Sequence, residues 1–187
     1  MIPYAGIGSR ETPDHILDLM YRIGATLGSQ GFILRSGGAD GADTAFERGC
    51  DSVSGSKEIF IPWSGYNGRK FRDGAIVPFH EPETKDRAWH IASQVHPVWH
   101  RLKDSVRELH TRNVAQVLGR NLTSHSKFVV CYTRNASGQG GTGQALRIAV
   151  LNRIPIFDLG DKDLPFVVEN LRTYCELLIH PEIAEAQ

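Results

Sequence analysis

The chain predicts an α/β fold in which a parallel sheet carries helices on both faces. Short apolar strands alternate with helix-periodic segments, and glycine-rich loops stand at three strand-to-helix junctions. Length agrees. With 187 residues and 41% apolar content, the chain can fill one continuous core, so residues 1–187 are expected to form a single domain.

The elements follow in order. Ile2 to Ala5 reads as a strand, and Gly6-Ile7-Gly8-Ser9-Arg10 as the tight turn after it. Thr12 suits an N-cap and Pro13 the first position of a helix, along which Ile16, Met20, Ile23 and Leu27 recur until Gly28 and Gly31. Phe32 to Arg35 is a second strand, running into the loop from Ser36 to Ala42, whose glycines let a backbone approach a ligand closely. Asp43 is a preferred residue type for capping the next helix. Ile59 to Ile61 forms a third strand, stopped by Pro62 and leading to Trp63 and Tyr66.

From about 71 to 110, Pro78, Pro82 and Pro97 interrupt the pattern. Helices over 84–95 and after Pro97 make this stretch a helical insertion over one end of the sheet, suited to a lid or an oligomer contact. Thr111 to Leu118 reads as helix, which places Arg112 at a helix start. Lys127 to Tyr132 reads as a buried strand. A further glycine loop, Ser137 to Gly143, leads into a helix containing Ala145, Leu146, Ile148, Ala149 and Leu151. Ile154 to Phe157 is the last strand and Leu164 to Leu178 the last helix.

Composition narrows the function classes. The formal charge is zero, but nine Lys or Arg residues between Arg101 and Arg153 face only Asp104 and Glu108, a local net of +7 that leaves −7 on the rest. That asymmetry suits an anionic small ligand, a short nucleic-acid contact or a solvated basic face, and argues against dominant non-specific duplex binding. No apolar run approaches the roughly 20 residues of a membrane span, and no secretory pattern opens the chain, so a cytoplasmic location is expected with no membrane partner. Cys50, Cys131 and Cys175 are widely spaced and are expected as reduced, buried thiols.

Ligands of open α/β sheets bind at the carboxyl ends of strands, and helix N-termini favour anions, so the three loops together predict a Rossmann-like phosphate or ribose site. The loops do not spell GxxxxGK[ST], which excludes the common P-loop pattern. No GxSxG elbow is present. His90, His96, His100 and His110 cluster in sequence and His80 stands beside Glu81, but their spacing does not suit a metal centre. Neither a metal nor a cofactor is expected.

The order Ser36-Gly37-Gly38-Ala39-Asp40-Gly41-Ala42-Asp43, then Pro62-Trp63 and Tyr66, then Arg112-Asn113, then Gly140-Gly141-Thr142-Gly143 resembles the SLOG superfamily. That group includes the DNA-processing protein DprA and the Lonely Guy enzymes, and the pattern is most similar to small YspA-type proteins. The resemblance extends over about 1–159 and implies a SLOG-type Rossmann-like fold, a nucleotide or nucleotide-derived ligand and a homo-oligomer. It implies that Gly8, Ser9, Ser36, Gly37, Gly38 and Gly41 line one side of the pocket, and that Gly140, Gly141, Thr142 and Gly143 hold a phosphate. Arg112 would add a fork suited to phosphate oxygens, Arg10 a second positive charge, and Asn113 both a donor and an acceptor.

Asp40 and Asp43 admit two readings: ribose binding or catalysis of N-glycosidic cleavage, or, for Asp43, a helix cap. Trp63 can stack a base or pack against the protein, and Tyr66 shares that ambiguity. The Lonely Guy pattern PGGxGTxxE is not matched: Gln139, Gln144 and Arg147 stand where it has Pro, Thr and the catalytic Glu. Turnover would need another carboxylate, among Asp40, Asp43, Glu47 and Glu81. The expectation is therefore a nucleotide-binding sensor, carrier or sequestering module. The alternatives are an N-glycosidase acting on nucleoside monophosphates, in the manner of a phosphoribohydrolase, and a DprA-like binder of single-stranded DNA.

Overall fold

The computed structural model describes residues 2–70 and 75–184. Six strands, β1 (Ile2–Gly6), β2 (Phe32–Ser36), β3 (Lys57–Phe60), β4 (Ala75–Ile76), β5 (Val129–Cys131) and β6 (Ile156–Asp158), form one parallel sheet. The helices are α1 (Asp14–Ser29), α2 (Ala42–Ser52), α3 (Pro82–Val95), α4 (Asp104–Leu118), α5 (Gly140–Leu151), α6 (Leu164–Ile179) and α7 (Pro181–Ala184).

The strand order is β4-β3-β2-β1-β5-β6. The chain builds outward from β1 to β4, then returns to place β5 on the other side of β1, with Ala5 opposite Val129 and Gly6 opposite Val130. Loops leaving β1 and β5 therefore diverge, which opens a crevice at the carboxyl ends of these two strands.

Both faces of the sheet are covered. Alternate residues of a strand point to opposite faces, so Phe128 and Val130 join Tyr4, Phe32, Met20, Phe46 and Leu171 beneath α1, α2 and α6. Val129 and Cys131 join Ala5, Ala88, Val114 and Ile148 beneath α3, α4 and α5. Helices α1 and α2 cross closely because Gly49 has no side chain: a Cβ there would overlap the Tyr21 carbonyl oxygen. The three cysteines are free and buried. Among the described residues no helix is long and apolar enough to cross a membrane.

Several local expectations are corrected. Helix α1 begins at Asp14 with Pro13 extended before it; the Thr12 hydroxyl donates to the Ser9 carbonyl at 2.7 Å instead of capping the helix. Helix α2 begins at Ala42 and receives no side-chain cap from Asp43. Helix α4 begins at Asp104, which moves Arg112 from a helix start to its third turn. The stretch expected as an insertion begins with Phe71 to Gly74, outside the described residues. Its described part supplies the edge strand β4 and helix α3, and Ala88 and Ala92 of α3 are fully buried in the core. Helix α3 lies in the helical layer on one face of the sheet, where these small residues let it pack directly on its neighbours.

Phe128 is fully buried, stacks on Tyr4 at 5.4 Å between centroids and meets the edges of Phe32, Phe157 and Tyr174. Phe128→Ala is expected to lower the unfolding free energy by about 3 to 5 kcal/mol in urea titration, since the four rings around it cannot close on the space it leaves. A loss under about 1 kcal/mol would show that the core relaxes freely there.

Candidate functional site

The crevice at the switch between β1 and β5 is a cavity of about 580 Å³. Gly8, Ser9, Arg10 and Glu11 line it from the loop after β1, and Tyr132, Thr133, Arg134 and Ser137 from the loop after β5. Helix α5 presents its first turn, Gly140, Gly141 and Thr142, while α4 contributes Leu109, His110, Arg112, Asn113 and Gln116. Ala39, Asp43 and Tyr66 complete the wall.

Arg112 organises this region. Its Nη1 donates to the Phe60 carbonyl at 3.1 Å, its guanidinium lies 5.8 Å from the Tyr66 ring centroid, and its Nε has no partner among the described residues. The guanidinium passes so close to the backbone of Gly37 that a Cβ there would collide with Nη1. Burial lowers the pKa of Arg112, opposed by the facing charge of Asp43. Asp43 accepts hydrogen bonds from the N–H groups of Gly37 (3.1 Å) and Ala39 (3.3 Å). Burial raises its carboxyl to about 6, and Arg112 and the two N–H donors offset that only in part. A carboxylate at the first turn of α2 thus shapes the loop before it.

The loop after β5 is fixed by Asp158, which accepts from the Thr133 hydroxyl and from the Thr133 N–H at 2.8 Å. Thr133 Oγ1 in turn accepts from the Gly138 N–H at 3.0 Å. Helix α5 starts from this brace with no side-chain cap and no acid in its first turn. Its leading N–H groups remain free for an anion.

Of the residues singled out from the sequence, Gly8, Ser9, Arg10, Asp43, Tyr66, Arg112, Asn113, Gly140, Gly141 and Thr142 come together around the cavity. The others stand elsewhere. Ser36 is buried and donates to Glu47 Oε1 at 2.8 Å. Gly37 lies beneath Arg112, a Cβ on Gly38 would press on Ile59, and Gly41 passes the backbone of Ser9 and Arg10. Gly143 faces the Gly138 carbonyl. Asp40 is exposed and accepts from Asn67 Nδ2 at 3.1 Å, away from the cavity. Trp63 is 40% exposed and meets Tyr66 edge-on at 5.5 Å. Of the other acids, Glu47 is buried against Ser36 and pairs with Arg69 at 2.6 Å, and Glu81 is exposed beside a separate cleft. Among the described residues no three His, Cys, Asp or Glu side chains converge on a metal position.

Sequence reasoning missed Gln116, Thr133 and Arg134, and left His110 in a histidine cluster without a role. His110, Asn113 and Gln116 recur at three-residue spacing, the one periodic signal that marks them as a shared helix face. Arg147, at the position of the Lonely Guy glutamate, instead donates from Nε to the Val95 carbonyl at 2.6 Å and ties α5 to the end of α3.

His110 is 7% exposed, its ring centroid lies 4.5 Å from that of His96, and burial with that neighbour lowers its pKa to about 4. Since the unfolded residue titrates near 6.5, the stability associated with neutral His110 is fully present above about pH 6.5 and is lost as pH falls towards about 4, by at most about 1.4 kcal/mol per pH unit. The raised carboxyl of Asp43 acts in the opposite sense between about 4 and 6, so the comparison is with His110→Asn. The stability difference between wild type and this variant is expected to be constant above pH 7 and to shift in favour of the variant below 6. A difference that does not change with pH would contradict a neutral buried ring.

No protein-family model and no curated protein matches the chain. Solved structures do. Two structures of the molybdenum cofactor carrier protein of Chlamydomonas reinhardtii match with TM-scores of 0.52, at 14% and 16% identity, over 95% and 92% of this chain and 83% and 84% of theirs. DprA from Streptococcus pneumoniae matches with a TM-score of 0.51 at 17% identity, over 84% of this chain and 50% of its own, so this chain corresponds to half of that protein. At such identities the likeness is one of fold. The chain shares the Rossmann-like α/β fold of these proteins.

Proposed function

We propose that the chain binds a nucleotide or nucleotide-derived ligand in the crevice between β1 and β5 and acts as a carrier, sensor or sequestering module, most akin to the small YspA-type proteins. The observation that carries this reading is the convergence of the uncapped first turn of α5 with the guanidinium groups of Arg10, Arg112 and Arg134 around one cavity. Free helix N–H groups and guanidinium forks both favour phosphate oxygens. The neighbours add support, since one is by name a molybdenum cofactor carrier and the other a DNA processing protein. The cavity volume of about 580 Å³ suits a mononucleotide-sized molecule, as small-molecule sites run from roughly 300 to 1,000 Å³.

A second reading, hydrolysis of the base-sugar bond of a nucleoside monophosphate, retains one specific observation: Asp43 lines the cavity with its carboxyl raised to about 6, a value useful for proton transfer near neutrality. Its Oδ2 already serves two N–H groups, which favours a shaping role over a chemical one.

Isothermal titration with nucleoside monophosphates, with chromatography of the mixtures for released base, tests both readings. Gly141 has open space where a Cβ would stand, so Gly141→Val is expected to keep the melting temperature while weakening phosphate-bearing ligands at least tenfold, about 1.4 kcal/mol. Unchanged affinity would remove α5 from the site. Arg112→Ala is expected to cost about 1.5 to 3 kcal/mol of binding, together with some fold stability. Released base that disappears in Asp43→Asn would establish hydrolysis, while oligonucleotide affinity that falls steeply with salt would favour single-stranded DNA.

A further inference from the structure

Beside Arg112, α4 also turns uncharged polar groups to the cavity. Along α4, Asn113 and Gln116 stand one turn apart on the cavity side, with His110 one turn before them. The depressed pKa of His110 keeps its ring neutral. Gln116 is 2% exposed, yet its carboxamide makes no hydrogen bond among the described residues. Asn113 Nδ2 donates to Gln144 Oε1 at 3.3 Å, which leaves Asn113 Oδ1 as an acceptor without a protein donor.

Buried polar atoms are satisfied in nearly all folded proteins, so the open amide groups of Asn113 and Gln116 call for hydrogen-bonding matter in the cavity. Phosphate does not suit it, because Asn113 Oδ1 accepts and would repel an oxyanion. A planar neutral ring does suit it. Side chains one turn apart on a helix have Cβ atoms about 5 to 6 Å apart, a span that adjacent groups on a heterocycle edge can bridge. Leu109, Val106 and Tyr132 supply apolar and aromatic surface beside the same space.

We propose that α4 is the base-recognition wall of the site, with Asn113 Oδ1 accepting from a ring or exocyclic N–H of the ligand and Gln116 donating to the neighbouring ring acceptor. The ligand class is then a nucleotide whose heterocycle presents a donor beside an acceptor, and a bare sugar phosphate is a poor substitute. This inference rests on the phosphate-binding reading above and assigns the opposite end of the ligand. Asn113 and Gln116 select the ligand; they carry no chemistry.

The test is titration of wild type, Gln116→Leu and Asn113→Leu with guanosine 5′-monophosphate, adenosine 5′-monophosphate and ribose 5-phosphate, with melting curves for each protein. Wild type is expected to bind at least one of the two nucleotides about tenfold or more tightly than ribose 5-phosphate, since several hydrogen bonds and a buried ring are added. Gln116→Leu, which removes a group without protein partners, is expected to lose roughly fivefold or more for that nucleotide and nothing for ribose 5-phosphate. Asn113→Leu should act in the same direction; the ratio of the two affinities is insensitive to any general loss of stability. Equal binding of nucleotides and ribose 5-phosphate, or equal weakening of both in the variants, overturns the base wall and leaves the phosphate site standing. Failure of every phosphate compound to bind wild type overturns both.

Discussion

The guanidinium of Arg112 passes over the bare backbone of Gly37, donates to the Phe60 carbonyl, lies against the Tyr66 ring and faces the Asp43 carboxylate. These contacts join the loop after β2, the first turn of α2, the end of β3, the turn that follows it and the middle of α4. A charge taken out of water costs several kcal/mol unless it is matched, and the match here is assembled from groups that the fold brings from β3, the turn after it and α2. Asp43 holds its side of the arrangement through the N–H groups of Gly37 and Ala39, so the loop, the acid and the base fix one another. With Tyr66 so held, its hydroxyl accepts from Arg10 Nη2 at 3.1 Å, and the order reaches the loop after β1. The cavity wall on this side is rigid because a buried charge allows few alternative arrangements.

How much of this the sequence discloses depends on whether a feature is local. The alternation of strands and helices, the three glycine loops and their position at strand ends are local patterns, and all three are present in the fold. The role of Gly37 is not local. From its loop it reads as a ligand-facing glycine, yet what passes close to it is the side chain of Arg112, more than seventy residues away in the chain. Asp43 has the right residue type and position for a cap, but the buried N–H groups of the preceding loop compete for its oxygen more effectively than helix N–H groups. The prolines of 71–110 mark the breaks between β4, α3 and α4. The α4 wall was hidden by the same boundary, since starting the helix at Thr111 separates His110 from Asn113 and Gln116.

Proteins of this fold need not share a ligand, and the molybdenum cofactor carrier and DprA illustrate the range by their names alone. What varies is the chemistry placed on the loops at the switch point. Here an anion-attracting group, formed by the first turn of α5 and three arginines, stands beside the amides of Asn113 and Gln116 on α4. An extended molecule with one charged and one uncharged polar end is complementary to such a division. Arg147 contributes to neither end: it staples α5 to α3 and so secures the helix whose first turn faces the cavity.

The residues around the cavity run from Ile7 to Ala145, so no short fragment of the chain contains it. Unfolding anywhere in the core abolishes it, and the unfolded chain offers a ligand nothing comparable. Occupancy and folding are therefore linked equilibria. A molecule present at a hundred times its dissociation constant adds about 2.7 kcal/mol to the unfolding free energy, roughly 5 to 10 °C in melting temperature for a domain of this size. The protein thereby reports its own ligand: a natural metabolite could be recognised in a fractionated cell extract by the heat it enables the chain to withstand.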